Sequence, residues 1–262
     1  MKYLIVLDAG HGMNTPGKRT PLFEDGTFMH ERAFNKAVVE HMQRLLASYD
    51  CTVIWVSPED NDVSLNTRVS RANIHYNNFV KQHGDSNIKA AFVSIHANAN
   101  TGTWGSANGI ETLYFPGRID SLKFAQIVQQ HMIEHTKLRD RGIKTGNFAV
   151  IRDIVCPSIL CECGFMDYKP EAILLKSDNY RQTCAKAIVK GIVDYLNLPL
   201  NTPPTPSTTT EQPTTIQINL NGKIKTVETI NRNGFNYIKL KDLTDDKISV
   251  TYNKLPIISI KP

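Results

Sequence analysis

VLDAGHGMNTPGKRTP, residues 6–21, is the stretch on which the fold turns. The apolar run Leu4 to Leu7 ends abruptly in Asp8. A turn of small residues follows, with His11 held between Gly10 and Gly12. A run that is apolar at every position, rather than at alternate ones, marks a strand covered on both faces. Such strands belong to parallel sheets, and open parallel sheets carry their functional groups in the loops at the carboxyl ends of the strands. His11 stands at such an end.

The first 198 residues repeat the alternation. Strand-like segments fall at 2–7, 52–56, 90–96, 110–115, 148–151 and 158–163, and helix-like segments at 31–48, 64–81, 121–137 and 179–196. In the first helical segment Phe34, Val38, Met42 and Leu45 or Leu46 recur at helical spacing. The pattern predicts an α/β domain, a twisted and mostly parallel sheet flanked by helices on both faces. Residues 199–215, PLNTPPTPSTTTEQPTT, offer almost nothing apolar to bury and read as an extended linker. Beyond it, IQINL and KIKTV alternate about Asn221-Gly222, a hairpin signal, and FNYIKL and ISVTY follow. Residues 216–262 are therefore expected to form a small C-terminal β module. A module of this size is marginal alone, and is expected to dimerise or to lean on a partner.

Composition narrows the class. The chain has 262 residues, 41% apolar and 21% charged, which suits a globular core. No apolar run is long enough to span a membrane. The N-terminus reads as the first strand rather than a secretion signal, because its apolar stretch is short and no cleavage site follows. The expectation is a protein made and held in the cytoplasm. The five cysteines, an odd number, argue against a disulfide framework, and Cys156, Cys161 and Cys163 lack a usual zinc spacing. Cys161 and Cys163 read as buried core thiols. The net charge of +5 suits an anionic polymer, but the basic residues are scattered, so nucleic acid is not expected.

His96 closes the buried run in AAFVSIHANAN and answers His11 from a second strand end. Two histidines and a carboxylate make a catalytic zinc set with a fourth position open to water. Glu24, Asp25 and Glu31 all lie near enough in sequence to complete it. Glu31 opens the first helix in HERAFNKAVV, which fixes it more rigidly than a loop would. Glu162, in SILCECGFMD, is a charge in an apolar strand, costly to bury unless it is paired or faces a site. HMIEH, residues 131–135, fits the metal-binding order H-x-x-E-H. No third helix-borne ligand accompanies it and it reads as the solvated middle of a helix, so it is set aside. HERAF is not H-E-x-x-H, and His30 reads as a surface residue at a helix start.

Taken in order, LDAGHG, ERAFN, LNTRVSRAN, FVSIHANA, GIETLYF, GIKTGNFAVIRDIVCPSILCECGFMD and NYRQTCAKAIVKGIVDYL resemble the zinc-dependent N-acetylmuramoyl-L-alanine amidases of the type 3 group, found in bacterial autolysins and phage endolysins. The resemblance covers nearly all of residues 1–198. It implies one Zn2+ held by His11, Glu31 and His96, with Glu162 as general base. It implies hydrolysis of the amide joining the lactyl group of N-acetylmuramic acid to L-alanine in bacterial peptidoglycan. Asn98, just past the strand end, is a candidate for substrate binding, or else a turn residue that satisfies local backbone. Arg68 and Asn73 match family positions and read as structural. Asp167 stands where the family often has asparagine, and the loop after His11 is less glycine-rich. A zinc peptidase cutting within the stem peptide, or a wall-binding protein without catalysis, are the competing functions; the complete residue set argues against the latter. A catalytic domain, a Pro/Thr linker, a small β module and no leader is the layout of a phage endolysin waiting in the cytoplasm of an infected host. The C-terminal module is then expected to bind the wall, including its anionic polymers, or to make a homo-oligomer.

Overall fold

The computed structural model describes residues 1–201 throughout and, beyond them, the backbone of five strands between Thr214 and Ile260. The chain divides into two compact units, Met1–Thr202 and Pro203–Pro262. Residues 202–213, most of the expected linker, lie outside the described residues. Pro199 to Asn201 still belong to the first unit: Pro199 accepts from the Asp50 amide, and the Asn201 amide donates to Ser48.

The first unit is built on a six-stranded sheet. In chain order it contains β1 (Lys2–Ala9), α1 (Glu31–Leu46), β2 (Thr52–Trp55), α2 (Leu65–His83), β3 (Ile88–Asn98), β4 (Ile110–Tyr114), α3 (Ile119–Thr136), β5 (Asp140–Thr145), α4 (Ala149–Arg152), β6 (Ser158–Phe165), α5 (Lys169–Lys176) and α6 (Asp178–Leu196). The sheet order is β2-β1-β3-β6-β4-β5. Strands β2, β1, β3 and β6 run parallel; β4 pairs antiparallel with β6 and parallel with β5. The sheet is mostly parallel, as expected, with one reversal at β4.

Successive side chains of a strand point to opposite faces, and the core divides accordingly. Ile5, Leu7, Ala91, Val93 and Ile95 pack with Phe34, Val38 and Met42 of α1, Phe124 and Val128 of α3 and Ile188 of α6. Leu4, Val6, Phe92 and Leu160 pack with Ala72 and Phe79 of α2 and with Val150 and Ile151 of α4. Each fully buried Leu, Ile, Val or Phe contributes about 1.5–3 kcal/mol relative to exposure. This is why β1 and β3 read as unbroken apolar runs. Cys161 and Cys163 are buried free thiols, as expected.

One local expectation fails, and two elements fall outside the expected set. The segment at 148–151 is not a strand: Phe148 precedes the one-turn helix α4, whose Val150 and Ile151 are buried while Phe148 stays 49% exposed. A short apolar run carries no periodicity to separate the two states. The sixth strand is instead Asp140–Thr145, a polar edge strand with no apolar signal. Helix α5 was not anticipated; Pro170 in its first turn is a start signal that went unread. In the second unit β7 (Thr214–Leu220), β8 (Lys223–Arg232) and β9 (Phe235–Ile238) form an antiparallel sheet, with Leu220 opposite Lys223. The expected turn residues Asn221-Gly222 and Asn233-Gly234 lie outside the described residues. Strands β10 (Ile248–Asn253) and β11 (Leu255–Ile260) make an antiparallel pair.

Candidate active site

The site begins with Asp8, the first polar residue after the β1 run. Its carboxylate is buried and takes the Ser57 hydroxyl at 2.7 Å, the Ser94 hydroxyl at 2.6 Å and the Arg68 guanidinium at 2.6 Å. Burial alone would raise its pKa, but Arg68 and the two hydroxyls prevail and hold it below the usual range. Arg68 also donates to the carbonyls of Val63, Ala9 and His11. It is structural, as expected, and what it fixes is the loop that carries His11. Asn73 is structural too: it bonds Asp153 and Val155 across the α2–α4 contact.

His11 adopts a left-handed backbone with φ 57°. For a residue with a Cβ this costs about 1–2 kcal/mol. The bond from Arg68 to the His11 carbonyl and the bond from the Gly12 amide to Thr15 Oγ1 at 2.8 Å hold the conformation in place. The flanking glycines have a steric reason. A Cβ on Gly10 would overlap the His96 imidazole, and a Cβ on Gly12 would collide with the backbone of Asn61 and Asp62.

Glu31 is the first residue of α1 and is buried. One carboxylate oxygen lies 3.3 Å from His11 Nε2. The other lies 3.0 Å from His96 Nδ1 and accepts from the Ala97 amide and from Asn35 Nδ2, each at 3.2 Å. The two imidazoles meet edge to face, with centroids 4.9 Å apart. Donor atoms of His11, Glu31 and His96 all fall within 4.8 Å of one another, a set that could hold a metal ion. Glu24, the open alternative, is on the surface paired with Lys169. Asp25 bonds Thr27 in its own turn.

Glu162 sits opposite His96 in the β3–β6 register and opposite Glu111 in the β4–β6 register. Its Oε2 is buried without a hydrogen-bond partner. Burial pushes its carboxyl up to about 7; the Glu31 and Glu111 carboxylates add to that, and His96 opposes it. Burial also pushes His11 down to about 4, against the pull of Glu31, so the imidazole is neutral and keeps a lone pair at neutral pH. Glu31 is held well below the usual carboxylate range: hydrogen bonding and charge from His96, aided by His11, outweigh burial.

Reading the sequence missed Glu111. It is 7% exposed, takes Arg141 Nε at 2.6 Å and Asn98 Nδ2 at 2.9 Å, and also pairs with Lys144. A charge within the apolar strand GIETLYF is the same signal that picked out Glu162. Asn98 lines the cleft, but both ends of its amide are engaged, by Glu111 and by the Ala99 amide. Asp167, noted only as a departure from the family, has one carboxylate oxygen that accepts the amides of Asn100, Thr101 and Gly102 at 2.7–3.1 Å. That oxygen folds the loop after β3. His30, expected on the surface, is half-buried against Phe28.

The groups open into a cleft of about 460 Å³. His11, His96, Glu162 and Asn98 line its polar side; Val63, Leu65, Phe148, Val150 and Leu160 line the other. Phe148 and Leu65 are 49% and 56% exposed at its mouth. A polar constellation faced by an apolar wall is the usual make-up of a substrate site.

Comparison with known proteins agrees with the geometry. The family model for N-acetylmuramoyl-L-alanine amidases matches residues 5–194. An uncharacterized cell wall amidase of Bacillus anthracis is 34% identical over 73% of the chain, which spans 35% of that protein's length. The endolysin of Bacillus phage SPP1 is 29% identical over 76% of the chain and 68% of its own length. The crystal structure of an N-acetylmuramoyl-L-alanine amidase from Clostridium difficile 630 superposes with a TM-score of 0.64 at 32% identity, covering 75% of this chain and 97% of that one.

Proposed function

The chain belongs to the N-acetylmuramoyl-L-alanine amidase family, a class of hydrolases, and from that premise we propose that it cleaves the amide between the lactyl group of N-acetylmuramic acid and L-alanine in peptidoglycan, using a zinc ion held by His11, Glu31 and His96 with Glu162 as general base. The donor set fits the metal: two imidazoles and a carboxylate converge, one imidazole is kept neutral by burial, and three protein ligands leave a position open. Zinc bound there supplies Lewis acidity, polarising the scissile carbonyl and lowering the pKa of its water towards neutrality.

The protein's own groups do the rest. Glu162 takes a proton from the attacking water and passes it to the departing nitrogen as the C–N bond breaks. Its surroundings without the ion raise this carboxyl from an ordinary value near 4.5, and a bound cation beside it would favour the carboxylate that accepts the proton. Products are the lactyl carboxylate and a peptide with a free L-alanine amine. Without the ion Glu31 contacts both imidazoles, and Asn35 and the Ala97 amide orient Glu31. Phe148 and Leu65 shield one flank of the reacting bond from water. Asn98 lines the cleft, and a substrate contact would use the second amide hydrogen or the remaining lone pair that Glu111 and Ala99 leave free.

The observation that carries this reading is the convergence of His11, Glu31 and His96, with His96 in register with Glu162 and His11, His96 and Glu162 lining one cleft. Mass spectrometry of purified peptidoglycan digested by the zinc-loaded protein tests it, with Glu162→Gln as control. Released peptides that begin with a free L-alanine amine, intact glycan and an inert variant are the expected result. Cuts inside the stem peptide would move the function to peptidase. The likeness to the phage SPP1 endolysin supports a lytic role in phage release. For residues 203–262 we propose wall binding. Their deletion is expected to weaken sedimentation with purified walls; unchanged wall binding with loss of an oligomer would instead assign them to self-association.

A further inference from the structure

A second donor cluster lies away from the cleft, on α3. His131, Glu134 and His135 bring donor atoms within 4.8 Å of one another over the last two turns of the helix, His131 half-buried and Glu134 and His135 exposed. The two ring tautomers follow from their partners. His131 Nε2 lies 2.8 Å from Asp194 Oδ2 on α6, and a carboxylate only accepts, so Nε2 carries a hydrogen and in the neutral ring Nδ1 keeps the lone pair. That Nδ1 is buried and has no hydrogen-bond partner; the nearest group is Glu134 Oε2 at 3.5 Å. His135 Nδ1 lies 2.8 Å from the His131 carbonyl, so it too is the donor and Nε2 is the free lone pair. Asp194 is itself held by Lys190 at 2.7 Å, and Glu134 Oε1 by Gln130 at 2.9 Å.

We propose that His131, Glu134 and His135 form a second divalent-cation site, with Asp194 as the carboxylate that orients His131 from α6. The class of ligand is a borderline cation that favours imidazole nitrogen, Zn2+ or Ni2+, rather than an oxygen-seeking one such as Mg2+. Three features support it. A buried lone pair without a partner is an unmet acceptor, which costs free energy until something fills it. A histidine whose other nitrogen donates to a carboxylate is the arrangement that orients metal-bound imidazoles. The carboxyl end of a helix carries partial negative charge that attracts a cation. The site would tie the last turn of α3 to α6.

Zinc stoichiometry and affinity of the untagged full-length protein, by native mass spectrometry and calorimetry, test this. Wild type is expected to take two Zn2+ and His135→Ala one, with peptidoglycan hydrolysis by His135→Ala unchanged. His96→Ala is expected to keep one ion, and His96→Ala/His135→Ala none. Zinc is expected to raise the Tm of His96→Ala but not of the double variant. If wild type takes one ion and His135→Ala takes the same one, the second site does not exist. Binding by His96→Ala that is seen only in the millimolar range would overturn it equally. Where His96→Ala does not fold, the His135→Ala stoichiometry decides alone. Failure of the cleft set would look different: His96→Ala would bind as many ions as wild type.

Discussion

Replacing Glu162 with glutamine is expected to silence the enzyme and stabilise its metal-free fold. Burial beside Glu31 and Glu111 raises this carboxyl from 4.5 to about 7. At 1.36 kcal/mol per pH unit, ionising it in the folded chain costs about 3 kcal/mol more than in the unfolded one. Between those two values the folded state keeps a proton that the unfolded state has released. The contribution of Glu162 to stability should therefore fall as pH rises from about 4.5 to about 7 and then level off, while His11, held near 4, contributes the opposite slope over much of that window and cancels when the two proteins are compared. Glutamine keeps the shape and does not titrate, but its amide has unmade hydrogen bonds worth about 1–3 kcal/mol in the other direction. The net gain at pH 8 is then about 0–2 kcal/mol, turning into a loss near pH 4.5. Urea titrations in chelator at several pH values read this through tryptophan fluorescence. Trp55 and Trp104 both lie in the first unit, so the signal reports that unit alone. Asp8, whose depressed value adds stability that is lost as pH falls through the acid range, is common to both proteins and cancels in their difference. Parallel curves for the two proteins across the whole pH range would refute the placement of Glu162 as a buried, destabilised acid.

Other substitutions probe other parts. Gly10→Ala should abolish zinc binding in the cleft, lowering the stoichiometry by one ion, while circular dichroism stays near wild type, because the new methyl overlaps His96; an unchanged stoichiometry would show that the turn yields. Arg68→Ala leaves Asp8 buried and unpaired and should cost about 3–5 kcal/mol in urea unfolding; a loss below about 1 kcal/mol would contradict its structural role. Asp167→Ala frees three backbone amides of the loop after β3. Faster proteolysis there and a raised KM with kcat largely kept are expected. Chelation should stop hydrolysis and added zinc restore it, whereas activity that persists through exhaustive chelation would remove the metal from the account.

Much of this was legible because it rests on local rules. Unbroken apolar runs announced β1 and β3, and the histidines at their ends announced a site, since both follow from burial on two faces. The choice of Glu31 over Glu24 was not legible from residue types. The helix start favoured Glu31, but only the packing of α1 sets Glu31 against both imidazoles while Glu24 stays on the surface. Strand β5 was invisible because an edge strand with polar faces has no hydrophobic period. The segment at 148–151 misled for the opposite reason: four apolar residues suit a one-turn helix over a cleft as well as a strand. HMIEH is a largely solvated stripe, as its pattern suggested; the contact of His131 with Asp194 of α6 is tertiary and leaves no mark in a local pattern.

The central claim is that this cleft hydrolyses the lactyl–alanine amide. Digestion of purified peptidoglycan in 18O-labelled water, followed by mass spectrometry of both products, tests it most directly. One 18O in the lactyl carboxylate of N-acetylmuramic acid, with unlabelled peptides bearing a free L-alanine amine, and neither product with Glu162→Gln, is the predicted result. Label in a peptide carboxylate, or equal product from Glu162→Gln, would contradict it.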